Sequence, residues 1–228
     1  MTMLRTALLA TALVSGAALT PEAHAQDGGE IAIARVQYGG GGDWYSGDPL
    51  PQLVEYARRH SLLELSAEPA TVELTSDRLF LYPVLFLNGH GNVAFAPPEA
   101  DRLRRYLTGG GFLIVNDDYG MDEAIRRELR GVFPEQELTP LAASHPVYSA
   151  HFSFPDGLPK IHEHDGGAAQ GYGLFHEGRL VVFYAHESDL ADGWEPEGVH
   201  GTPPELREQA LRMGVNLLVY AMTQGVES

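Results

Sequence analysis

Two short stretches decide the fold of this chain: VLFLNGHG at residues 84–91 and GGGFLIVNDD at residues 109–118. Each contains an uninterrupted apolar run, which is typical of a strand covered by helices on both faces. Between them, Pro97 and Pro98 open a segment with helical spacing of Leu103, Tyr106 and Leu107, and three glycines end it. A strand, a helix and a second strand predict a parallel pair.

The flanking segments continue this alternation. Residues 31–38 have the composition of a strand, Asp48-Pro49 begins a helix, and a further helix follows Asp118. Residues 172–175 and 179–185 flank a turn and predict a β-hairpin, and Thr202 opens a capping box before a last helix. We therefore predict an α/β fold, a flavodoxin-like three-layer sandwich with a mostly parallel sheet and a late hairpin. Residues 134–171 show no clear period.

Residues 1–25 are typical of a secretory signal peptide. Arg5 supplies the basic region, residues 7–19 are apolar or small, and Ala23-His24-Ala25 fits the cleavage rule. The alternative is a buried N-terminal helix. We expect cleavage near Ala25 and Gln26, a single α/β domain over residues 26–228, and a periplasmic or secreted location.

Composition excludes several classes of function. The chain carries 31 acidic against 15 basic residues, a formal charge of −16, which argues against binding nucleic acid or an anionic membrane surface. It contains no cysteine, so it has neither a disulfide framework nor a thiol nucleophile. After the signal segment no apolar run is long enough for a membrane span.

The turn after the first buried strand is the first candidate site. Asn88, Gly89, His90 and Gly91 stand where α/β proteins bind ligands, at the carboxyl end of a strand. Glycine lets backbone N–H groups approach an anion closely, and His90 can act as a donor, a base or a ligand. The alternative is a surface turn with a solvated imidazole.

The end of the second buried strand carries Asn116, Asp117 and Asp118. Adjacent carboxylates at such a position bind a cation, act as a base or nucleophile, or cap the following helix. Capping accounts for one aspartate but not for both.

The glycine-rich loop after residues 31–38 contributes four further candidates: Gly41, Gly42, Asp43 and Trp44. It lacks the Lys and Ser/Thr of a phosphate-binding loop, so we do not expect it to bind phosphate in that way. The loop either lines the pocket or is a flexible turn. Trp194 is a second aromatic candidate for a pocket wall, the alternative being ordinary burial.

Histidines and acidic residues are frequent late in the chain. His162 and His164 would point to the same side of an extended segment and could ligate a transition metal, although the spacing matches no zincin pattern. His186 follows an apolar strand, which would place it beside Asp117. His145, before Pro146, is a further ligand candidate. Solvated loop histidines are the alternative.

Several of these motifs together resemble an uncharacterised bacterial family of unknown function, placed among folds similar to class I glutamine amidotransferases. The resemblance covers nearly all of residues 30–223 and is carried by Gly41-Gly42-Asp43-Trp44, Tyr82-Pro83, Gly89-His90-Gly91, Gly110-Gly111-Phe112-Leu113 with Asp117-Asp118, Val132-Phe133-Pro134 and His145-Pro146. It implies that residues 88–91 hold the oxyanion-turn position and that His186-Glu187 corresponds to the late His and Glu. Residues 116–118 replace the cysteine turn, so cysteine-dependent glutaminase chemistry is excluded.

Three functions are consistent with this pattern. The first is non-catalytic binding of a small polar ligand, a glycan fragment or an envelope protein. The second is a hydrolase in which Asp117 or Asp118, with His90 and His186, forms a nucleophile–base set or holds a divalent metal that activates water. The third is a structural subunit of an envelope complex. Convergence of Asp117, His90 and His186 within hydrogen-bonding distance would favour the hydrolase, whereas side chains that lie far apart would exclude an enzyme built on these three residues.

Overall fold

The computed structural model describes residues 29–224. The predicted signal peptide, residues 1–25, lies outside this range. No helix within residues 29–224 combines the length and the apolar character needed to cross a membrane.

A seven-stranded sheet forms the centre of the molecule and confirms the predicted fold class. Its order is β2-β1-β3-β4-β7-β6-β5. Strands β2, β1, β3, β4 and β7 are parallel, whereas β6 pairs antiparallel with β7, and β5 with β6. The strands are β1 Ile33–Gln37, β2 Ala70–Glu73, β3 Val84–His90, β4 Phe112–Tyr119, β5 Thr139–Pro140, β6 Gln170–His176 and β7 Arg179–His186.

Helices cover both faces of the sheet, as the apolar runs of β3 and β4 require. The helices are α1 Leu50–His60, α2 Pro97–Thr108, α3 Asp122–Val132, α4 Leu190–Trp194 and α5 Pro204–Thr223. One core cluster joins α1, α4 and α5 to one face of the sheet, and a second joins α2 and α3 to the other. The architecture is a three-layer α/β/α sandwich.

The predicted helix starts at α1 and α2 are confirmed, but the capping box at Thr202 is wrong. The residue before α5 is Pro203, with ψ 144° and no side-chain cap. Pro203 is kept out of the helical region because the following Pro204 disfavours α geometry in the residue before it. The helix therefore begins at Pro204.

Residues 134–171, which showed no period, contain β5 and a short 3-10 helix at Pro146–Tyr148. The chain then runs irregularly to Gln170 at the start of β6. This segment carries His162 and His164 to the carboxyl edge of the sheet, where Ile161 N and His162 N donate to Ser188 O after β7.

The parallel strands β1, β3, β4 and β7 all end at that edge. Strands β1 and β3 are neighbours in the sheet. The strand that follows β1 in the chain, β2, lies on one side of this pair, and the strand that follows β3, β4, lies on the other side. A crevice outside the strand ends at such a switch in direction is the usual ligand site of an open α/β sheet.

Candidate metal centre

Three buried carboxylates meet at the carboxyl edge of β4 and β7. Asp118, Asp189 and Asp192 are 7%, 1% and 6% exposed. One oxygen of each lies within 4.8 Å of the others. They line a cavity of about 170 Å³ whose other walls are Ser46, His90, Tyr119, His162, Glu163, His164 and His200. Within residues 29–224 no lysine or arginine lines this cavity.

Asp118 reaches the site because β4 continues through Tyr119 instead of ending near Val115. Successive side chains of a strand point to opposite faces. Asp118 therefore lies with Asn116 on the side of α4, and Asp117 points towards α3, where it accepts a hydrogen bond from Met121 N at 2.9 Å.

Asp189 is held in an uncommon backbone conformation. Its φ and ψ are 55° and 63°, and Glu187 two residues earlier also has φ 55°. A non-glycine residue in the left-handed region costs about 1–3 kcal/mol and persists where the surrounding structure imposes it, often at functional sites. This conformation turns the chain from β7 into α4 and brings Asp189 and Asp192 to the same cavity.

The Asn116 amide joins the three elements that build the site. Its Nδ2 donates to Asn88 Oδ1 at 2.7 Å and to Asp189 Oδ1 at 3.1 Å, and its Oδ1 accepts from Leu190 N at 2.8 Å. Asn116 and Asn88 are buried. The ends of β3 and β4 are thereby linked to the start of α4.

The loop that carries the two histidines is fixed to the Glu187–Asp189 turn. Ile161 N and His162 N both donate to Ser188 O, at 2.9 and 3.2 Å, and Ser188 Oγ donates to Pro159 O at 2.6 Å. Lys160 Nζ lies 2.8 Å from Glu187 Oε2. Through these contacts His162 and His164 face Asp189.

Two imidazoles and one carboxylate form the first ligand set. His164 Nε2 lies 3.3 Å and His162 Nδ1 3.7 Å from the same oxygen, Asp189 Oδ2. His162 Nδ1 also lies 2.8 Å from Asp192 Oδ2. Imidazole nitrogens with carboxylate oxygens are a common ligand set for zinc and other divalent transition metals.

Two further imidazoles flank the outer side of the cluster. His200 Nδ1 lies 3.2 Å from Asp192 Oδ1, and His90 Nε2 lies 3.5 Å from Asp118 Oδ2. The His90 side chain is 48% exposed, so it stands at the mouth of the cavity.

Burial and neighbouring charges raise the pKa of two of the carboxylates, Asp189 and Asp192. Burial, with the charges of Asp118 and Asp192, raises the pKa of Asp189 to about 6, while hydrogen bonds from His164 and Asn116 act in the opposite direction. Burial is also the main cause that raises the pKa of Asp192. The hydrogen bond to Asp189 raises the pKa of His164. A nearby cation would relieve this repulsion.

This repulsion predicts how the metal-free protein responds to pH. The pKa of Asp189 is higher in the folded than in the unfolded chain, so the folded state binds more protons between about pH 4 and pH 6. The contribution of Asp189 to the free energy of unfolding therefore falls as pH rises from about 4 to about 6. We expect Asp189→Asn to raise the free energy of unfolding of the metal-free protein at pH 7 by about 1–3 kcal/mol, because the amide oxygen still accepts from Asn116.

Urea unfolding of both proteins in chelator, at pH 4 and pH 7, measures this difference. The difference in free energy of unfolding should nearly vanish at pH 4, because the wild-type Asp189 carboxyl is then protonated and neutral, like the amide of the variant. A variant that is less stable than the wild type at pH 7 would contradict the account of the cluster.

The structure distributes the predicted catalytic residues between two faces of the sheet. Asp118 and His90 belong to the cavity. On the other face, Tyr184 OH donates to Asp117 Oδ2 at 3.2 Å, and His186 Nε2 lies 3.5 Å from Asp122 Oδ1. Within residues 29–224 no hydrogen bond or ion pair joins Asp117, His90 and His186, so that predicted convergence is not formed.

Most glycines of the predicted ligand loops support the backbone. In the turn after β3, Gly89 has φ 149° and Gly91 N donates to Tyr119 O at 2.9 Å. A side chain at Gly42 would collide with the backbone of Asn92, and Gly41 has φ 82°. These loops pair with each other, since Asp43 N donates to His90 O at 3.1 Å.

The remaining predicted ligand residues lie away from the cavity. Trp44 packs against the core on the α2 and α3 face, and Trp194 is fully buried against Phe86. His145 accepts from Val147 N and contacts Tyr220, which also contacts Phe112 at the opposite end of β4. Asp43 lies nearer, with Oδ2 4.0 Å from His90 Nδ1.

The sequence indicated Asp189 only as part of the late His- and acid-rich stretch at residues 186–189, and it did not indicate Asp192 or His200 as ligands. The first two stand in a His- and acid-rich stretch directly after the predicted strand β7, which is a usable signal. The left-handed turn that directs Asp189 and Asp192 into the cavity cannot be recognised from the pattern of hydrophobic residues.

Comparison with known proteins identifies a family. The family model described as a domain of unknown function, DUF4159, matches residues 32–222. No curated protein matches the chain.

Proposed function

Because this chain belongs to the DUF4159 family, a domain of unknown function, we propose its function from the site itself. The domain binds a divalent transition-metal cation at His162, His164 and Asp189 and uses it to activate water for hydrolysis. The role of Asp118 and His90 is to bind and orient water and substrate at the mouth of the same cavity.

The observation that supports this proposal is the charge of the buried cluster. Asp118, Asp189 and Asp192 lie together in a cavity that, among residues 29–224, no lysine or arginine lines. Burial of an uncompensated carboxylate is costly, so such groups are paired with cations or coordinate metals. Here the partners are imidazoles, which are themselves metal ligands.

The geometry fits a catalytic rather than a closed structural site. A divalent metal lowers the pKa of a bound water and polarises a substrate oxygen. Three protein ligands leave a coordination position for water, as in catalytic zinc sites. His90 is half-exposed and 3.5 Å from Asp118, where it can accept or donate a proton at the cavity mouth.

We also propose that the domain is a cysteine-free relative of class I glutamine-amidotransferase-like folds. The predicted oxyanion turn, residues 88–91, follows β3 next to Asp118 at the end of β4. Where the resemblance implies a cysteine turn, this chain carries Asn116-Asp117-Asp118, which leads to the carboxylate cluster.

The proposed location is outside the cytoplasm, in a periplasm or the medium. The pattern of residues 1–25 supports export, and an acidic, cysteine-free chain is compatible with an oxidising compartment.

A non-catalytic ligand- or partner-binding domain is the second candidate function. It is favoured by the use of Asn116 and Asp117, at the predicted nucleophile turn, in internal hydrogen bonds. Under this alternative the cluster holds a cation without turning over a substrate.

A substrate panel separates the two functions. Ester, amide, phosphate and glycoside substrates are tested with the full mature chain after chelation and after addition of Zn²⁺ or Mn²⁺. We expect metal-dependent hydrolysis of at least one class, lowered about 100-fold in Asp118→Asn, in the range seen when a positioned polar group is removed. Asp101→Asn, an exposed aspartate on α2, is the matched control and should keep full activity.

Two results would contradict metal-dependent hydrolysis. An inert metal-loaded protein would leave the binding function, and hydrolysis that survives chelation would exclude a role of the metal in the reaction.

A further inference from the structure

We infer that the centre takes two divalent cations that share Asp189, and that the pair binds an anionic oxo group of the substrate, such as a phosphoryl group. This inference rests on the proposed function and specifies its metal content and its substrate class.

Two ligand sets meet at one carboxylate. His162, His164 and Asp189 form the first, and Asp118, Asp189 and Asp192 form the second; within each set the ligand atoms lie within 4.8 Å of one another. In two-metal hydrolytic sites the ions lie about 3.5–4 Å apart, a separation that one shared carboxylate can span. Asp189 is the only member of both sets among the described residues.

When a first ion binds His162, His164 and Asp189, the other two carboxylates of the second set remain available to a second ion. The Asp118 side chain is 9% exposed, and within residues 29–224 no hydrogen bond reaches its carboxylate. Its contact is with His90 at 3.5 Å, while Asp192 has His162 at 2.8 Å and His200 at 3.2 Å. The second set therefore offers two carboxylates besides Asp189, each with an imidazole on its outer side. The Asp118 side chain is thus about nine-tenths buried and lines the cavity, and its ion-pair partner is the half-exposed His90.

The formal charge distinguishes one ion from two. Three ionised carboxylates with one divalent cation leave the centre at −1, whereas two cations bring it to +1. In a chain of net charge −16, only the second state attracts an anionic group. Two ions also stabilise both the attacking and the leaving oxygen of a displacement, which suits phosphoryl chemistry.

Metal stoichiometry tests the pair. The full mature chain, purified without a His-tag, is dialysed against Mn²⁺, and bound metal per chain is measured by elemental analysis. We expect two equivalents in the wild type and in Asp101→Asn, one in His164→Ala, one in Asp118→Asn, and none in Asp189→Asn. Two Mn²⁺ ions at bridging distance should also give an exchange-coupled electron paramagnetic resonance spectrum, lost in both one-ion variants.

The outcomes separate the inference from the proposed function. One equivalent in the wild type overturns the pair and leaves a mononuclear metal site, and no bound metal overturns both. Inorganic phosphate is the probe of substrate class. It should bind the two-ion protein at least 10-fold more tightly than Asp118→Asn with one ion, and equal binding would overturn the anion-binding role.

Discussion

Asp189→Asn is expected to weaken divalent-metal binding at least 100-fold, which corresponds to about 2.7 kcal/mol of binding free energy. Asp189 Oδ2 is the oxygen that both His162 and His164 face, and Asp189 belongs to both ligand sets. An amide oxygen is neutral and a much weaker ligand for a transition metal than a carboxylate. Calorimetric titration with Mn²⁺ at pH 7.5 measures the change.

Unfolding does not explain such a loss, because the same substitution is expected to stabilise the metal-free protein at pH 7. Asp101→Asn on α2 makes the same chemical change on an exposed surface and should bind metal like the wild type. Binding by Asp189→Asn within threefold of the wild type would remove Asp189 from the site.

Trp194→Ala is expected to lower the free energy of unfolding by about 3–5 kcal/mol, the range for removing a large buried aromatic. Trp194 is fully buried and lies 5.3 Å from Phe86 between ring centroids. Its Nε1 donates to Ala210 O at 2.8 Å, which ties α4 to α5. Urea unfolding in chelator measures the loss.

The loss should extend to metal binding, because α4 also carries Asp192. Trp194→Phe is the matched control: it keeps most of the apolar volume, removes the indole hydrogen bond to Ala210 O, and should cost about 1–3 kcal/mol. A cost below about 1 kcal/mol for Trp194→Ala would show that α4 is not anchored by this side chain.

The central unit of the fold could be predicted because its signals are local. Strands β3 and β4 are apolar runs, and Pro97 and Gly109 mark the two ends of α2. The hairpin of β6 and β7 follows from two apolar segments around a short turn. Each signal lies within about a dozen residues of the element it specifies.

The candidate site depended on contacts between distant residues, and that part could not be predicted. Strand β4 runs on through Tyr119 because it stays paired with the end of β3, and the Asn116 amide bonds to Asn88 and to Leu190 N, 74 residues later in the chain. The extension alternates Asp117 and Asp118 between opposite faces. The two adjacent aspartates, which the sequence predicted to share one site, therefore lie in different environments.

The arrangement of His162 and His164 could be predicted in part from the sequence. The spacing of His162 and His164 predicted a common side, and both face Asp189. The anchoring of their loop on Ser188 O and the left-handed turn at Asp189 arise from tertiary contacts and backbone strain. Neither has a periodic signature, so the partner carboxylate had to come from the structure.

The most direct test of the metal centre is a crystal structure of the Mn²⁺- or Zn²⁺-loaded protein with anomalous diffraction collected at the metal edge. We expect an anomalous peak beside Asp189 Oδ2, with His162 Nδ1 and His164 Nε2 at about 2.0–2.3 Å from it. A metal-loaded crystal with no peak in this cavity, or with its peak on other residues, would contradict the account.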